Sequence, residues 1–114
     1  ELKPGDGFDV WLDTDATDPG PEYRASWVAD SDILGLYKVT TFAGKGMLVD
    51  CPGFRVRGLL GEPRTTTRVL MPRPCLGNPH ALRVSVLADR FVGHRAVADW
   101  APGAKQFYGL VRQG

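Results

Sequence analysis

Apolar and polar residues alternate along most of the chain, and the period is two. In Phe8-Asp9-Val10-Trp11-Leu12-Asp13, Phe8, Val10 and Leu12 share one face, while Trp11 lies with the acids on the other. Tyr23 to Val28 repeats the pattern, with Tyr23, Ala25 and Trp27 directed inward. Ile33 to Phe42 is a β-rich run that ends in a turn at Ala43-Gly44-Lys45-Gly46. Met47 to Cys51 reads as a strand stopped by Pro52-Gly53, and Phe54 to Arg57 alternates again. Thr65 to Met71 is β-branched and closes at Pro72, which cannot donate to a ladder. Leu82 to Val86 is the plainest strand, with Leu82, Val84 and Val86 on one side, and Phe107 to Val111 supplies another. Only Ala96-Val97-Ala98-Asp99-Trp100 reads as helical, for a single turn before Pro102.

Short strands about ten residues apart, punctuated by turn residues, predict an all-β fold. The expected architecture is a two-sheet antiparallel β-sandwich, jelly-roll or immunoglobulin-like, with about seven to nine strands. At 114 residues and 43% hydrophobic content the chain makes one domain, residues 1–114. Fourteen Gly and nine Pro are too many breakers for a helical bundle. No apolar run approaches a membrane span, and a net charge of +1 argues against a dedicated nucleic-acid binder.

The small net charge hides an asymmetry. Glu1 to Asp32 holds nine acids against Lys3 and Arg24, whereas Ile33 onward holds twelve bases against Asp50, Glu62, Asp89 and Asp99. The pattern fits either a dipolar surface that steers an asymmetric partner or two sets of strand faces that the fold brings together.

Cys51 and Cys75 are the only cysteines, and their spacing is neither C-x-x-C nor finger-like with His80 and His94. A structural disulfide is the expected reading, with two buried thiols as the alternative. A disulfide implies an oxidising compartment and a secreted protein. The chain opens on Glu1 directly before a strand, which suggests a processed or truncated product lacking one or two N-terminal strands. On that reading a sheet edge is open to another chain.

Catalysis has little in its favour. Neither His80 nor His94 stands in a motif with Ser26, Ser31 or Ser85, G-x-S-x-G is missing, and Gly44-Lys45-Gly46 is too short for a phosphate loop. A non-enzyme is expected. The acid-rich segment Asp13 to Glu22 offers Asp13, Asp15, Asp18 and Glu22 as oxygen ligands for Ca²⁺, although Asp18 and Arg24 stand where an EF-hand needs its Gly and its Glu. The alternative is an Asp-rich loop that uses its side chains for local turns. Among the aromatics, Trp11 is the best candidate for an exposed ring that stacks on a sugar or anchors a protein partner, because Val10 and Leu12 take the core; the alternative is a Trp that packs partly covered under a loop. Trp27 is expected in the core and Trp100 at the end of the sandwich. Trp11, Trp100 and Tyr23 form the candidate ligand-binding set.

Three segments carry a resemblance. They are Asp9-Val10-Trp11-Leu12-Asp13-Thr14-Asp15 with Gly20-Pro21-Glu22-Tyr23-Arg24, then Met71-Pro72-Arg73-Pro74-Cys75-Leu76-Gly77-Asn78-Pro79 with Leu82-Arg83-Val84, and Asp99-Trp100-Ala101-Pro102-Gly103. The chain resembles small secreted β-sandwich domains common in actinobacteria, and more distantly the DOMON and family 9 carbohydrate-binding sandwiches. The resemblance implies a Cys51–Cys75 bridge, since the second cysteine of those domains also follows a Pro-Arg step. Family 9 modules clamp sugars between aromatic rings and use calcium for support, which implies that role for rings such as Trp11, Trp27 and Trp100.

The expected function is that of a non-catalytic, secreted binding or interaction module whose partner is a polysaccharide or another protein chain. The alternative is a structural or assembly subunit, a homo- or hetero-oligomer whose sheet edge another chain completes.

Overall fold

The computed structural model describes residues 7–15, 17, 20–28, 34–57, 68–92, 95–103, 106, 107, 109, 111 and 112. Among the described residues the strands are β1 (Gly7–Asp13), β2 (Tyr23–Val28), β3 (Leu34–Lys38), β4 (Met47–Leu48), β5 (Arg55–Arg57), β6 (Arg68–Leu70), β7 (Ala81–Val92), β8 (Arg95–Ala101) and β9 (Val111–Arg112). A short 3₁₀ helix spans Arg73–Leu76 between β6 and β7. The all-β expectation holds.

Six strands form one antiparallel sheet in the order β4-β3-β2-β1-β7-β8, with β9 pairing the start of β7. A separate two-stranded sheet joins β5 to β6. β1 lies in the interior of the large sheet, paired from Gly7 to Leu12 with β2 and from Gly7 to Asp13 with β7. Among the described residues the edges of this sheet are β4 and β8.

Register divides the side chains between two faces, because neighbouring residues on a strand point oppositely and cross-strand partners point alike. Phe8, Val10 and Leu12 face with Trp27, Ala25 and Tyr23 of β2, and Val10 and Leu12 with Val86 and Val84 of β7. Leu12, Ala25, Leu36 and Leu76 are the buried centre of this face. Val49, Cys51, Phe54, Val69, Met71 and Cys75 pack against that centre, so the segment from β4 to the 3₁₀ helix covers it. A disulfide joins Cys51 to Cys75, with Cα atoms 5.6 Å apart, and ties the start of that cover to its end. Burying Leu12 and Leu36 contributes about 2 kcal/mol each.

Two glycines hold turns that other residues would strain. Gly46, before β4, has φ +76°, and a Cβ there would stand 2.5 Å from the Lys38 carbonyl oxygen. Gly77 adopts φ +75° as it caps the 3₁₀ helix, its N–H donating to the Pro74 carbonyl.

Two expectations from the pattern are corrected. Ala96 to Trp100 forms no helical turn but belongs to β8, which pairs with β7 at every position from Arg95 to Ala101. The ladder supplies hydrogen bonds for the whole segment, whereas an isolated turn supplies very few. β7 is also far longer than Leu82 to Val86, because β1, β8 and β9 template it along twelve residues.

Candidate binding face

The same alternation sends Asp9, Trp11 and Asp13 of β1 to the opposite face, alongside Ser26 and Arg24 of β2 and Leu87, Ser85 and Arg83 of β7. Trp100 of β8, opposite Leu87, reaches this face as well. Its ring lies 5.1 Å from that of Trp11 and nearly parallel to it. Trp100 and Trp11 belong to strands separated by β7, so the rings meet only by leaning over that strand. Ser85 makes this possible: it is the cross-strand partner of Trp11, and its side chain is small.

Two more rings complete the cluster. Phe42, in the loop between β3 and β4, stands 5.4 Å from Trp11 and 6.0 Å from Trp100. Phe107 stands 5.3 Å from Phe42. Trp11 is thus the floor, only 4% exposed, while Phe42, Trp100 and Phe107 are half-buried above and around it. The expectation of an exposed Trp11 is corrected. An outward position on a strand is exposed only if nothing crosses it, and here a ring from β8 and one from a loop do.

Arg24 fixes the loop that carries Phe42. Its Nη1 and Nη2 donate to the carbonyls of Gly44 and Lys45, each at 2.8 Å, and its Nε donates to Ser26 Oγ. The guanidinium also covers the Tyr37 ring at 4.8 Å and lies 3.9 Å from Asp9 Oδ1. Ser26 Oγ in turn donates to Asp9 Oδ1. On the other side Arg83 covers the Phe107 ring at 5.1 Å and grips the buried Asp13 carboxylate, its Nε donating to Oδ2 at 2.8 Å. Each of the two arginines is matched by a carboxylate. The Arg83–Asp13 pair also joins the acidic first part of the chain to the basic remainder.

Two polar atoms inside this cluster have no hydrogen-bond partner among the described residues: Trp11 Nε1 and Ser85 Oγ, on residues 4% and 0% exposed.

The other candidate residues lie elsewhere. Tyr23 packs against the aliphatic core, on the face away from Trp11 and Trp100, because it pairs with Leu12 rather than with Trp11. The candidate calcium ligands are committed to the chain itself. Asp13 accepts from Arg83 and from the Asp15 N–H, and Glu22 Oε2 accepts the Thr14 N–H at 2.8 Å. Asp15 accepts both the N–H and the hydroxyl of Thr17, and the hydroxyl bond, followed by the N–H bond, holds its carboxyl below its ordinary value. Asp18 lies outside the described residues. Among the described residues no three His, Cys, Asp or Glu side chains are grouped to hold a metal ion. His80 is exposed beside Arg73 Nη2, at 3.4 Å, and His94 lies outside the described residues.

Sequence reasoning missed Phe42, Phe107, Ser85, Arg24 and Arg83 as members of this face. For Arg24 and Arg83 the signal was present, since each stands at the outward parity of its strand. For Phe42 and Phe107, both outside strands, parity carries no information. No helix among the described residues is long and apolar enough to cross a membrane. Comparison with protein-family models, with curated proteins and with solved structures finds no match for the chain.

Proposed function

We propose that this protein is a non-catalytic binding module of the secreted kind, and that it binds carbohydrate on the aromatic face of its large sheet. The observation that carries the reading is the stack of Trp100 on Trp11, with Phe42 and Phe107 beside it, half-exposed on the face that the aliphatic core does not use. Sugar rings present C–H faces that pack on aromatic rings and hydroxyls that bond to flanking polar groups. Arg24, Asp9 and Ser26 on one side supply such groups, and so does Arg83 on the other. The Arg24 clamp on Gly44 and Lys45 supports a preformed site, which lowers the ordering cost of binding. In this reading the β5–β6 ladder is the smaller layer of a sandwich closing over the disulfide side. The disulfide supports an oxidising, extracellular setting.

The test is retention on insoluble polysaccharides and titration with their soluble oligosaccharides. Trp100→Ala is expected to abolish retention while the disulfide still forms; retention equal to that of the wild type overturns the reading.

A second reading, an assembly subunit, is favoured by β8. Among the described residues no strand pairs with its outer edge, and an unpaired edge is a template for another chain. Light scattering on the purified protein separates the two, since an assembly predicts a dimer or larger species and the binding module a monomer.

A further inference from the structure

Ser85 is an odd residue for its place. It needs to be small so that Trp100 can cross β7 and stack on Trp11, and alanine would serve that purpose equally well. The hydroxyl adds a polar atom that is buried and has no partner among the described residues. The cross-strand neighbour Trp11 repeats the anomaly with its indole N–H, where phenylalanine would stack without it. Buried polar groups are nearly always hydrogen-bonded, and an unmade bond is unfavourable enough to need a reason. Both atoms belong to one cross-strand pair on one face, and the half-exposed Trp100 ring stacks on the first of the two residues.

We propose that Trp11 Nε1–H and Ser85 Oγ form the hydrogen-bonding floor of a ligand subsite, entered when the Trp100 ring moves aside. This rests on the reading of the aromatic face as a carbohydrate site and specifies what that site recognises. An indole N–H donates only, and a serine hydroxyl both donates and accepts, so together they fit one oxygen that accepts from the first and bonds the second. The oxygen belongs to an uncharged group, an alcohol or an amide carbonyl. Among the described residues both arginines of the rim are already matched, Arg24 by Asp9 and Arg83 by Asp13, which favours an uncharged group over an anionic one. The ligand class is therefore a neutral sugar, with one hydroxyl or acetamido oxygen inserted between the rings.

The experiment follows the Trp11 indole N–H signal in ¹⁵N-labelled protein, assigned by its loss in Trp11→Phe, during titration with cellopentaose, xylopentaose and chitopentaose. The expected result is a shift of that signal with one of the three. Ser85→Ala and Trp11→Phe are each expected to weaken that sugar about tenfold, the cost of one hydrogen bond, while the melting temperature of Ser85→Ala stays level or rises. If a pentasaccharide binds in a Trp100-dependent way but the Trp11 signal stays fixed and both variants bind like the wild type, the floor is wrong and the platform stands. A loss of melting temperature in Ser85→Ala alongside its loss of affinity makes the hydroxyl structural and overturns the floor. If none of the three sugars binds, the carbohydrate site and its floor fall together.

Discussion

The two faces of the large sheet are built from the same strands and differ in nearly everything else. One has an aliphatic centre, with Leu12, Ala25 and Leu36 almost fully buried under Leu76 and a disulfide-tied cover, and carries Tyr23, Phe8 and Trp27 around it. The other is aromatic and half-covered, edged by two arginine–carboxylate pairs, with two buried polar atoms unpartnered. A face closed by packing and a covalent tie is suited to stability. A face closed only by side chains, at a cost in unmet hydrogen bonds, is suited to opening for something else.

Substitutions on the two faces should therefore differ in sign as well as size. Leu12→Ala is expected to have the largest effect, a loss of about 2–5 kcal/mol in urea unfolding, because it removes a side chain from the closed centre. Ser85→Ala, its counterpart one strand away on the open face, is expected to cost nothing. Equal losses at both positions would erase the distinction between the faces. Replacing Cys51 and Cys75 together by alanine is expected to cost about 3 kcal/mol, as expected for releasing a loop of this separation, and to leave sugar affinity unchanged once the protein is folded. A fall in affinity in that folded variant would mean that the two faces are coupled through the sheet.

The smallest effect is local to the loop after β1. Thr17→Ala removes the hydroxyl bond to Asp15, so the carboxyl should rise towards its ordinary value of 3.8, read by its NMR titration. Since the folded value is depressed, the contact favours the folded loop fully above 3.8 and loses its effect as the pH falls through the lower folded value. Asp15 is exposed, so the melting temperature at neutral pH should not move.

The comparison also shows where reading the sequence works. Alternation in Phe8 to Asp13 and Tyr23 to Val28 assigns each side chain to a face, and the register upholds it residue by residue. The same alternation could not say that Trp11 is covered. Its cover comes from Trp100 and Phe42, which lie far along the chain and approach only when β8 pairs with β7 and Arg24 pins the loop. Ala96 to Trp100 failed for a related reason. Its local composition allows a helical turn, and the long β7 template overrides it.

What the sequence by itself determined is the set of local choices: strands of period two, breaks at Gly and Pro, and a single possible disulfide between Cys51 and Cys75. These follow from the short-range geometry of the backbone and from counting. Only the tertiary structure decided which outward residues are covered, which strands become edges, and that Trp11 and Ser85 share a buried, unpartnered corner. Those properties depend on which distant segments meet, and strand order sets that. A residue's parity along its own strand does not contain it.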